Sequence, residues 1–297
     1  MQAGDNIHIC YLQQLDKWKY NFFQKFYRNL FGITTLTKFQ DDYILILPRY
    51  RTYLYNRILY KRIINILYDL SVNYVVISKS LKNDEKLINV LNSENLNIIN
   101  GKYLFEIMFL DAIKYIADKQ KRNLNDIKLT ILINDFNKNF QDNIMILADK
   151  VKEIVIVTNN INKFKKLENK VREKFGIIIR ISNNKRKILQ DADIIYNIDF
   201  PEELINKYKI NNNATIININ KNAKIYSKNF SGFNYNNYEI LTNYDSKLDF
   251  NEIMFNNEFS LKEIYEAKIL KEKNLHNARK ALKYEKIKIK LINNKYI

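Results

Sequence analysis

The chain contains little glycine, proline, histidine and cysteine, with 5, 2, 2 and 1 of these among its 297 residues. The lone Cys10 has no partner for a disulfide within the chain, which fits a reducing compartment such as the cytoplasm. Zinc sites need clustered cysteine and histidine side chains, which His8, His276 and Cys10 do not supply, so we expect no metal site. The sequence also lacks a GxxxxGK[ST] loop, which excludes a nucleotide hydrolase of the Walker type.

Long apolar segments are missing as well. No run reaches the ~18–20 apolar residues of a membrane-spanning helix, and the opening MQAGDNIHIC lacks the basic start and apolar centre of a signal peptide. We therefore expect a cytoplasmic protein without a membrane span. Positive charge, by contrast, is abundant, and the net charge is +17. The surplus of Lys, Asn, Ile, Tyr and Phe is typical of an AT-rich genome, but the charge of this basic protein attracts polyanions whatever its origin.

Five short runs rich in Ile, Val and Leu organise the chain between Lys128 and Lys221. They lie in the segments KLTILIND, EIVIVTNN, FGIIIRIS, ADIIYNID and ATIININK. Runs that are apolar at every position indicate strands buried on both faces, as in a parallel sheet covered by helices. Helix-length segments or short turns separate the runs, and this alternation predicts an α/β fold with a doubly wound, mostly parallel sheet.

The same patterns predict the domain organisation. Residues 1–100 alternate strand and helix and form a smaller N-terminal α/β domain, and residues 101–127 are a bridging helix and linker. Residues 128–259 form the main α/β domain, and residues 260–297 form a basic C-terminal helix.

An aromatic and aliphatic stripe marks a helix predicted from Gln14 to Leu30 and closed by Gly32. The stripe repeats at spacings of three and four and consists of Leu15, Trp18, Phe22, Phe26 and Leu30. Such a stripe is typical of a helix face that packs into the core, and we expect it to be buried.

The second half of the chain resembles the dinucleotide-binding domain of the shikimate dehydrogenase and glutamyl-tRNA reductase type of oxidoreductase. Leu129–Ile133 corresponds to the first strand of that domain, and Ile154–Thr158 to the second, with TNNINK in the place of the cofactor-selecting loop. ADIIYNIDFPEE, residues 192–203, is similar to the fourth-strand phrase near the nicotinamide. The resemblance implies a Rossmann-like fold with an NAD(P) site at the ends of these strands.

The glycine-rich turn of that family is missing here. The turn after the first strand contains NDFNKNFQDN, with side chains where the family's glycines let the backbone approach the pyrophosphate. Asparagine tolerates a positive φ, so Asn134, Asn137 and Asn139 are candidates for an atypical turn. The degenerate turn predicts no cofactor, with NAD(P) as the alternative.

The second loop differs from the family as well. Thr158, Asn159 and Asn160 stand where an acidic residue usually grips the ribose of NAD, and Lys163 follows. This pattern suits either a cofactor with a 2′-phosphate or the solvated start of an ordinary helix.

Two residues are candidates for catalysis, although the family's Lys and Asp pair matches no motif here. Lys79 follows the predicted strand Tyr74–Ile77, with a solvent-facing lysine as the alternative. Asp199 ends IIYNID, at the carboxyl end of a predicted parallel strand, where open α/β sheets bind ligands. The alternative for Asp199 is a cap of the following helix.

Arg49 and Arg51 form a candidate anion site. They follow the predicted strand YILIL and precede a helix that starts near Thr52. A helix N-terminus favours negative charge, so two arginines there indicate a bound anion, either a small ligand or an acidic side chain.

These patterns favour a non-catalytic scaffold or ligand-sensing relative of the NAD(P)-dependent dehydrogenases, with a small anionic ligand or a protein as its partner. One alternative is an NAD(P)-dependent oxidoreductase with an Asn-rich phosphate turn. Another is a protein that binds nucleic acid or an acidic surface through its +17 charge, including the basic segment from Arg279 to Lys295.

Overall fold

A computed structural model describes residues 7–14, 21–48, 53–136, 138–219, 222–242, 258–272 and 274–293. The candidate residues Arg49, Arg51 and Asn137 lie outside these ranges. The chain forms two compact units. Unit 1 comprises Met1–Leu104 and Tyr244–Ala278, and unit 2 comprises Phe105–Asn243 and Arg279–Ile297. The chain therefore returns to unit 1 before it finishes in unit 2.

The elements follow in chain order. The first are β1 (Ile9–Gln14), α1 (Phe22–Phe31), β2 (Thr35–Phe39), β3 (Asp42–Leu47), α2 (Tyr53–Asp69), β4 (Tyr74–Ile77), α3 (Glu85–Ser93), β5 (Asn97–Ile99) and α4 (Lys102–Ile107). The next are α5 (Phe109–Gln120), β6 (Lys128–Leu132), α6 (Lys138–Leu147), β7 (Glu153–Val157), α7 (Ile161–Phe175), β8 (Arg180–Ser182), α8 (Lys185–Asp191), β9 (Ile194–Asn197), α9 (Glu202–Asn206), β10 (Thr215–Ile217) and β11 (Phe233–Leu241). The last are α10 (Leu261–Leu270), α11 (Leu275–Tyr284) and β12 (Lys288–Asn293).

The sheet of unit 1 has the order β2-β3-β1-β4-β5 among the described residues. All pairings are parallel except the one between β2 and β3. The alternating side chains of β1 face two different helical layers, as expected for a strand buried on both sides. Cys10 and Leu12 pack with α2 and α3, whereas Ile9 and Tyr11 pack with Ile264 of α10. Burial raises the pKa of the Cys10 thiol to about 12.

The sheet of unit 2 has the order β12-β11-β10-β9-β6-β7-β8 in the part of the chain that is described. Counted from β6 as the first strand, the parallel strands follow the order 3-2-1-4-5-6, which is the doubly wound order of dinucleotide-binding domains. Only β12 pairs in the antiparallel direction, on the far side of β11. Both sheets are mostly parallel and covered by helices, so the predicted α/β fold class is confirmed.

The predicted orientation of the aromatic stripe on α1 is wrong. Leu15 and Trp18 lie outside the described residues, but Phe22, Phe26 and Leu30 are exposed, and none of the α1 residues is buried. The helix itself is well formed, since Asn21 provides a capping box and Gly32 ends it in the left-handed conformation with φ of 66°. Spacing predicts which residues share a helix face, but it does not determine whether that face turns toward the core.

The single basic helix predicted for residues 260–297 is also wrong. The described part of this segment forms α10, α11 and β12. The end of the chain alternates Lys and apolar residues in KIKIKLI, and this period of two is typical of a half-buried strand. Arg279, expected to start a solvated basic surface, donates instead to the carbonyl of Ile107 at 3.2 Å and to the side chain of Asn143.

Candidate functional site

The site is the edge of the unit 2 sheet where β6 and β9 end. In the doubly wound order these are the neighbouring strands at which the direction of winding reverses, and ligands of open α/β sheets bind at this point. Asn134 and Asp135 follow β6, and Asp199 follows β9, two residues beyond its last residue. The parallel pairing of the two strands brings these segments together.

The Asp199 carboxylate fills the turn after β6. Its Oδ2 accepts the backbone N–H of Asn134 at 2.7 Å and that of Asp135 at 2.9 Å. Its Oδ1 lies 3.4 Å from the side-chain amide nitrogen of Asn134. Successive backbone N–H groups form a binding site for an anion, and here the chain provides the anion itself. Asp199 does not form the predicted cap of the following helix, because α9 begins after Pro201 without a side-chain cap.

Asn134 connects this turn to the loop after β7. Its Oδ1 accepts the backbone N–H of Asn159 at 2.9 Å, and its carbonyl lies 3.4 Å from the amide nitrogen of Asn160. Thr158 is buried, and its hydroxyl accepts the backbone N–H of Asn160 at 3.0 Å. The residues predicted to hold a ribose are thus brought together with the turn, but they hydrogen-bond to the chain itself.

The glycine positions of the turn are occupied by side chains. The ring of Phe136 packs edge-on against Phe164 at 5.4 Å and against Phe140 at 6.4 Å between ring centroids. Neither Asn134 nor Asn139 adopts a positive φ. The Asn139 amide instead lies 3.4 Å from the carboxylate of Glu106, a group whose pKa burial raises. Asn134 and Asn139 therefore do not supply the positive φ angles that glycines give to a glycine-rich turn.

Lys185 is a site residue that the sequence analysis missed. It is the first residue of α8 and is 9% exposed, and its Nζ donates to Oδ1 of Asn159 at 2.7 Å. The same nitrogen lies 5.8 Å from the centroid of the Phe200 ring. A cation at a helix N-terminus is electrostatically unfavourable, so these two contacts compensate for its position. The sequence signal was the cap residue Asn184 directly before it, which fixes where α8 begins.

Lys163 contributes little to this edge. Its side chain is 55% exposed, and its Nζ lies 3.6 Å from the exposed carboxylate of Asp135. Surface pairs of this kind contribute at most about 1 kcal/mol to stability. The arrangement fits the solvated helix that was the alternative to a 2′-phosphate contact.

A row of buried asparagines continues the edge across β9, β10 and β11. The Asn197 amide donates to Oδ1 of Asn218 at 3.0 Å, and the Asn218 amide donates to Oδ1 of Asn234 at 2.7 Å. Asn234 and Asn236 both donate to the carbonyl of Ala223, at 2.8 Å and 3.1 Å. Buried amides are stable only when they are hydrogen-bonded, and here Asn197, Asn218 and Asn234 bond to one another, whereas Asn236 bonds to the backbone of Ala223. We refer to Asn197, Asn218, Asn234 and Asn236 as the asparagine row.

Unit 1 carries a second polar cluster, after β4. Lys79 is exposed, and its backbone N–H donates to the carbonyl of Glu258 at 2.7 Å. The nearby Lys82 donates to Oε1 of Glu263 at 2.5 Å, and the side chain of Glu263 is 3% exposed. Oε2 of Glu263 accepts no hydrogen bond from the described residues. A catalytic role of Lys79 stays a prediction, and the more constrained lysine here is Lys82.

Two further features, a metal-binding cluster and a membrane-spanning helix, are absent from the described ranges. This part of the chain contains no group of three or more His, Cys, Asp or Glu side chains placed to hold a metal ion. It also contains no helix with the length and apolar character to cross a membrane.

No family model matches the chain, and no curated protein matches it. Among solved structures it is similar to L-tryptophan dehydrogenase from Nostoc punctiforme, at 10% identity and a TM-score of 0.32, over 75% of this chain and 67% of that one. It is similar to ornithine carbamoyltransferase from Pyrococcus furiosus at 13% identity and a TM-score of 0.32, over 95% and 84% of the two chains. A dipicolinate synthase chain from Bacillus halodurans gives 8% identity and a TM-score of 0.34, over 72% and 81%. At these scores none of the similarities transfers an activity to this chain.

Proposed function

We propose that this chain is a non-catalytic α/β protein, a scaffold or ligand-sensing protein built on a dinucleotide-binding topology that no longer takes up NAD(P). The observation that carries the proposal is the carboxylate of Asp199 on the N–H groups of Asn134 and Asp135. These N–H groups stand where a dinucleotide-binding domain presents its turn to the pyrophosphate.

Electrostatics support the proposal. A pyrophosphate that approached this turn would have to displace the Asp199 carboxylate or lie beside it as a second anion. Displacement gives up two charge-assisted hydrogen bonds, which are among the stronger ones in proteins. A pyrophosphate beside the Asp199 carboxylate would place two negative charges close together at a partly buried site, where they repel each other more than in water.

The surroundings of the turn point the same way. Phe136 packs against Phe140 and Phe164 in the segment where the family has glycines, so its ring is held by two helices. The backbone N–H of Asn159 and the side-chain amide of Asn160 both donate to Asn134. These two donors are therefore engaged with the chain itself. Binding a dinucleotide here requires breaking contacts that the chain makes for itself, and each broken contact subtracts from the affinity.

Calorimetric titration of the purified full chain with NAD⁺, NADH, NADP⁺ and NADPH tests the proposal. We expect no dissociation constant tighter than about 1 mM. A micromolar constant for any of the four would reject the proposal and favour the NAD(P)-dependent oxidoreductase with an Asn-rich turn.

A matched pair of variants tests the stated cause. Asp199→Ala removes the competing carboxylate and frees two N–H groups, so its affinity for NADP⁺ should be higher than that of the parent protein. Asp135→Ala removes the same charge from the same turn without freeing either group, because Asp135 takes part through its backbone. Equal affinities in the two variants would show that the Asp199 carboxylate is not what excludes the dinucleotide.

A further inference from the structure

Helix α1 presents its apolar side to solvent. Six large side chains share one half of the helix circumference, and all are more than half exposed: Phe22 76%, Phe23 79%, Phe26 57%, Tyr27 60%, Leu30 54% and Phe31 52%. A surface helix normally turns this side toward the core and its polar side outward. Clustered exposed apolar residues of this extent mark an interaction surface rather than ordinary scatter.

The polar side of α1 is the one held against unit 1. Lys25, Arg28 and Asn29 on that side are less exposed than the six apolar residues. Arg28 donates to the hydroxyl of Thr35 in β2, and Arg62 of α2 donates to the carbonyl of Gly32 at 2.8 Å. These contacts fix the C-terminal end of α1 and hold its apolar side outward.

Further exposed apolar residues follow α1 and lie in α2, and basic residues accompany them. Ile33, Leu36 and Ile58 are 40%, 44% and 61% exposed. Residues 21–40 and 53–68 contain no aspartate or glutamate. They contain six basic residues: Lys25, Arg28, Lys38, Arg57, Lys61 and Arg62. We refer to the exposed apolar and basic side chains of residues 21–40 and 56–68 as the α1 surface.

This combination decides between three kinds of partner. A second copy of the chain would place the same basic groups opposite one another, and like charges facing across an interface are unfavourable. A nucleic acid gains from stacking on aromatic rings but gains nothing comparable from Leu30, Ile33, Leu36 and Ile58. A bilayer with anionic headgroups can bind both the apolar and the basic side chains. The apolar side chains enter its interface, while lysine and arginine bind the headgroups.

We propose that the α1 surface docks unit 1 onto anionic lipid bilayers, with the apolar side of α1 lying in the plane of the membrane interface. This peripheral mode requires no helix that crosses the bilayer. It is independent of the proposed function of the unit 2 edge, since none of the residues involved belongs to that edge. A scaffold with such a surface would act at a membrane without being inserted through it.

Co-sedimentation of the full chain with vesicles tests the proposal. We expect binding to vesicles of phosphatidylcholine mixed with phosphatidylglycerol, weaker binding to phosphatidylcholine alone, and a decrease with added salt. The double variant Phe23→Gln with Phe26→Gln should bind at least about tenfold more weakly, because it removes two rings from the interface. Both positions are exposed, so the variant should keep the stability of the parent protein.

Two further variants complete the test. Ile178→Gln with Tyr284→Gln is the matched control, because these residues of unit 2 are 69% and 88% exposed but lie outside the α1 surface. It should bind vesicles as the parent protein does. Arg57→Gln with Lys61→Gln should weaken binding to the anionic vesicles and leave the weak binding to phosphatidylcholine unchanged.

Several outcomes would overturn the proposal. It fails if the parent protein does not bind the anionic vesicles, or if the Phe variant and its control bind them equally well. Sedimentation velocity without lipid that shows a dimer abolished by the Phe variant would assign the α1 surface to a second copy of the chain. Binding to a single-stranded oligonucleotide that is lost in the Phe variant, without vesicle binding, would assign it to nucleic acid.

Discussion

Asp199 shows how one side chain changes the chemistry of a fold at the residue scale. Its carboxylate satisfies two backbone donors and lies at the point where a doubly wound sheet ordinarily receives its ligand. The same position in the sequence suggested catalysis or a helix cap. Its actual partners are 65 and 64 residues away along the chain, and only the pairing of β6 with β9 brings them together.

Replacing Asp199 by alanine tests its structural importance. The change leaves two N–H groups without their acceptor, and we expect the free energy of unfolding to fall by about 1–3 kcal/mol. Asp135→Ala is the control, since the side chain of Asp135 is 88% exposed and its ion pair with Lys163 is long, at 3.6 Å. That variant should stay within about 0.5 kcal/mol of the parent protein. Urea unfolding followed by circular dichroism measures both, and equal losses would contradict the role assigned to the Asp199 carboxylate.

The candidate residues differ in how well the sequence could predict them. Asn134, Thr158, Asn159 and Asn160 were found because the resemblance places them in the family's turn and cofactor-selecting loop, at the carboxyl ends of parallel strands. What they bind could not be predicted, because hydrogen bonds between loops depend on which strands are neighbours. Lys185 was missed because the cap residue Asn184 indicates where α8 begins but not whether the lysine after it faces inward or toward solvent.

At the scale of elements, composition and the spacing of apolar residues predicted most of the strands and helices. Four of the apolar runs became β6, β7, β9 and β10, because a strand buried on both faces needs apolar residues throughout. The third run leads into β8, an edge strand whose residues are exposed or half-buried. The C-terminal strand β12 was mistaken for helix even though Lys and apolar residues alternate along it. The charge of that segment dominated the interpretation, whereas its period of two carried the structural information.

Adjacent residues of β12 provide a test of that assignment. Leu291 is 3% exposed, and Leu291→Ala should lower the stability of unit 2 by about 2–5 kcal/mol because it leaves a cavity beside β11. Lys290 points to the opposite face, with a side chain 51% exposed and 3.7 Å from Glu239. Lys290→Ala should cost no more than about 1 kcal/mol. Thermal unfolding of the two variants compares them, and similar losses would mean that this segment is not a half-buried strand.

At the scale of the whole molecule, the chain is discontinuous in space. The segment 244–278 belongs with residues 1–104, so α10 covers one face of the N-terminal sheet although it follows the whole parallel part of unit 2 in sequence. Sequence patterns identify elements, but they carry no signal for such a return because each helix looks alike whichever sheet it covers. Unit 1 therefore completes its core only after the chain has passed through unit 2.

The positive charge of the molecule comes from basic residues in different environments. The net charge of +17 suggests a general attraction to polyanions, yet individual basic residues serve different purposes. Arg279 is engaged with the backbone of Ile107 and with Asn143, whereas Arg57 and Lys61 lie exposed beside an apolar surface. A count of charges therefore predicts that polyanions are attracted, but not where they bind.

The burial of the lone cysteine makes its rate of chemical modification a measure of how often unit 1 opens. Cys10 lies in β1, with β3 and β4 on either side, and its raised pKa keeps the thiol protonated and unreactive. A thiol reagent in solution can thus modify it only when the middle of the unit 1 sheet opens. The rate of modification should count those openings and rise steeply with urea, while Leu291→Ala, which loosens unit 2, should leave it unchanged. A faster rate in that variant, followed by mass spectrometry, would instead reveal that the two units open as one.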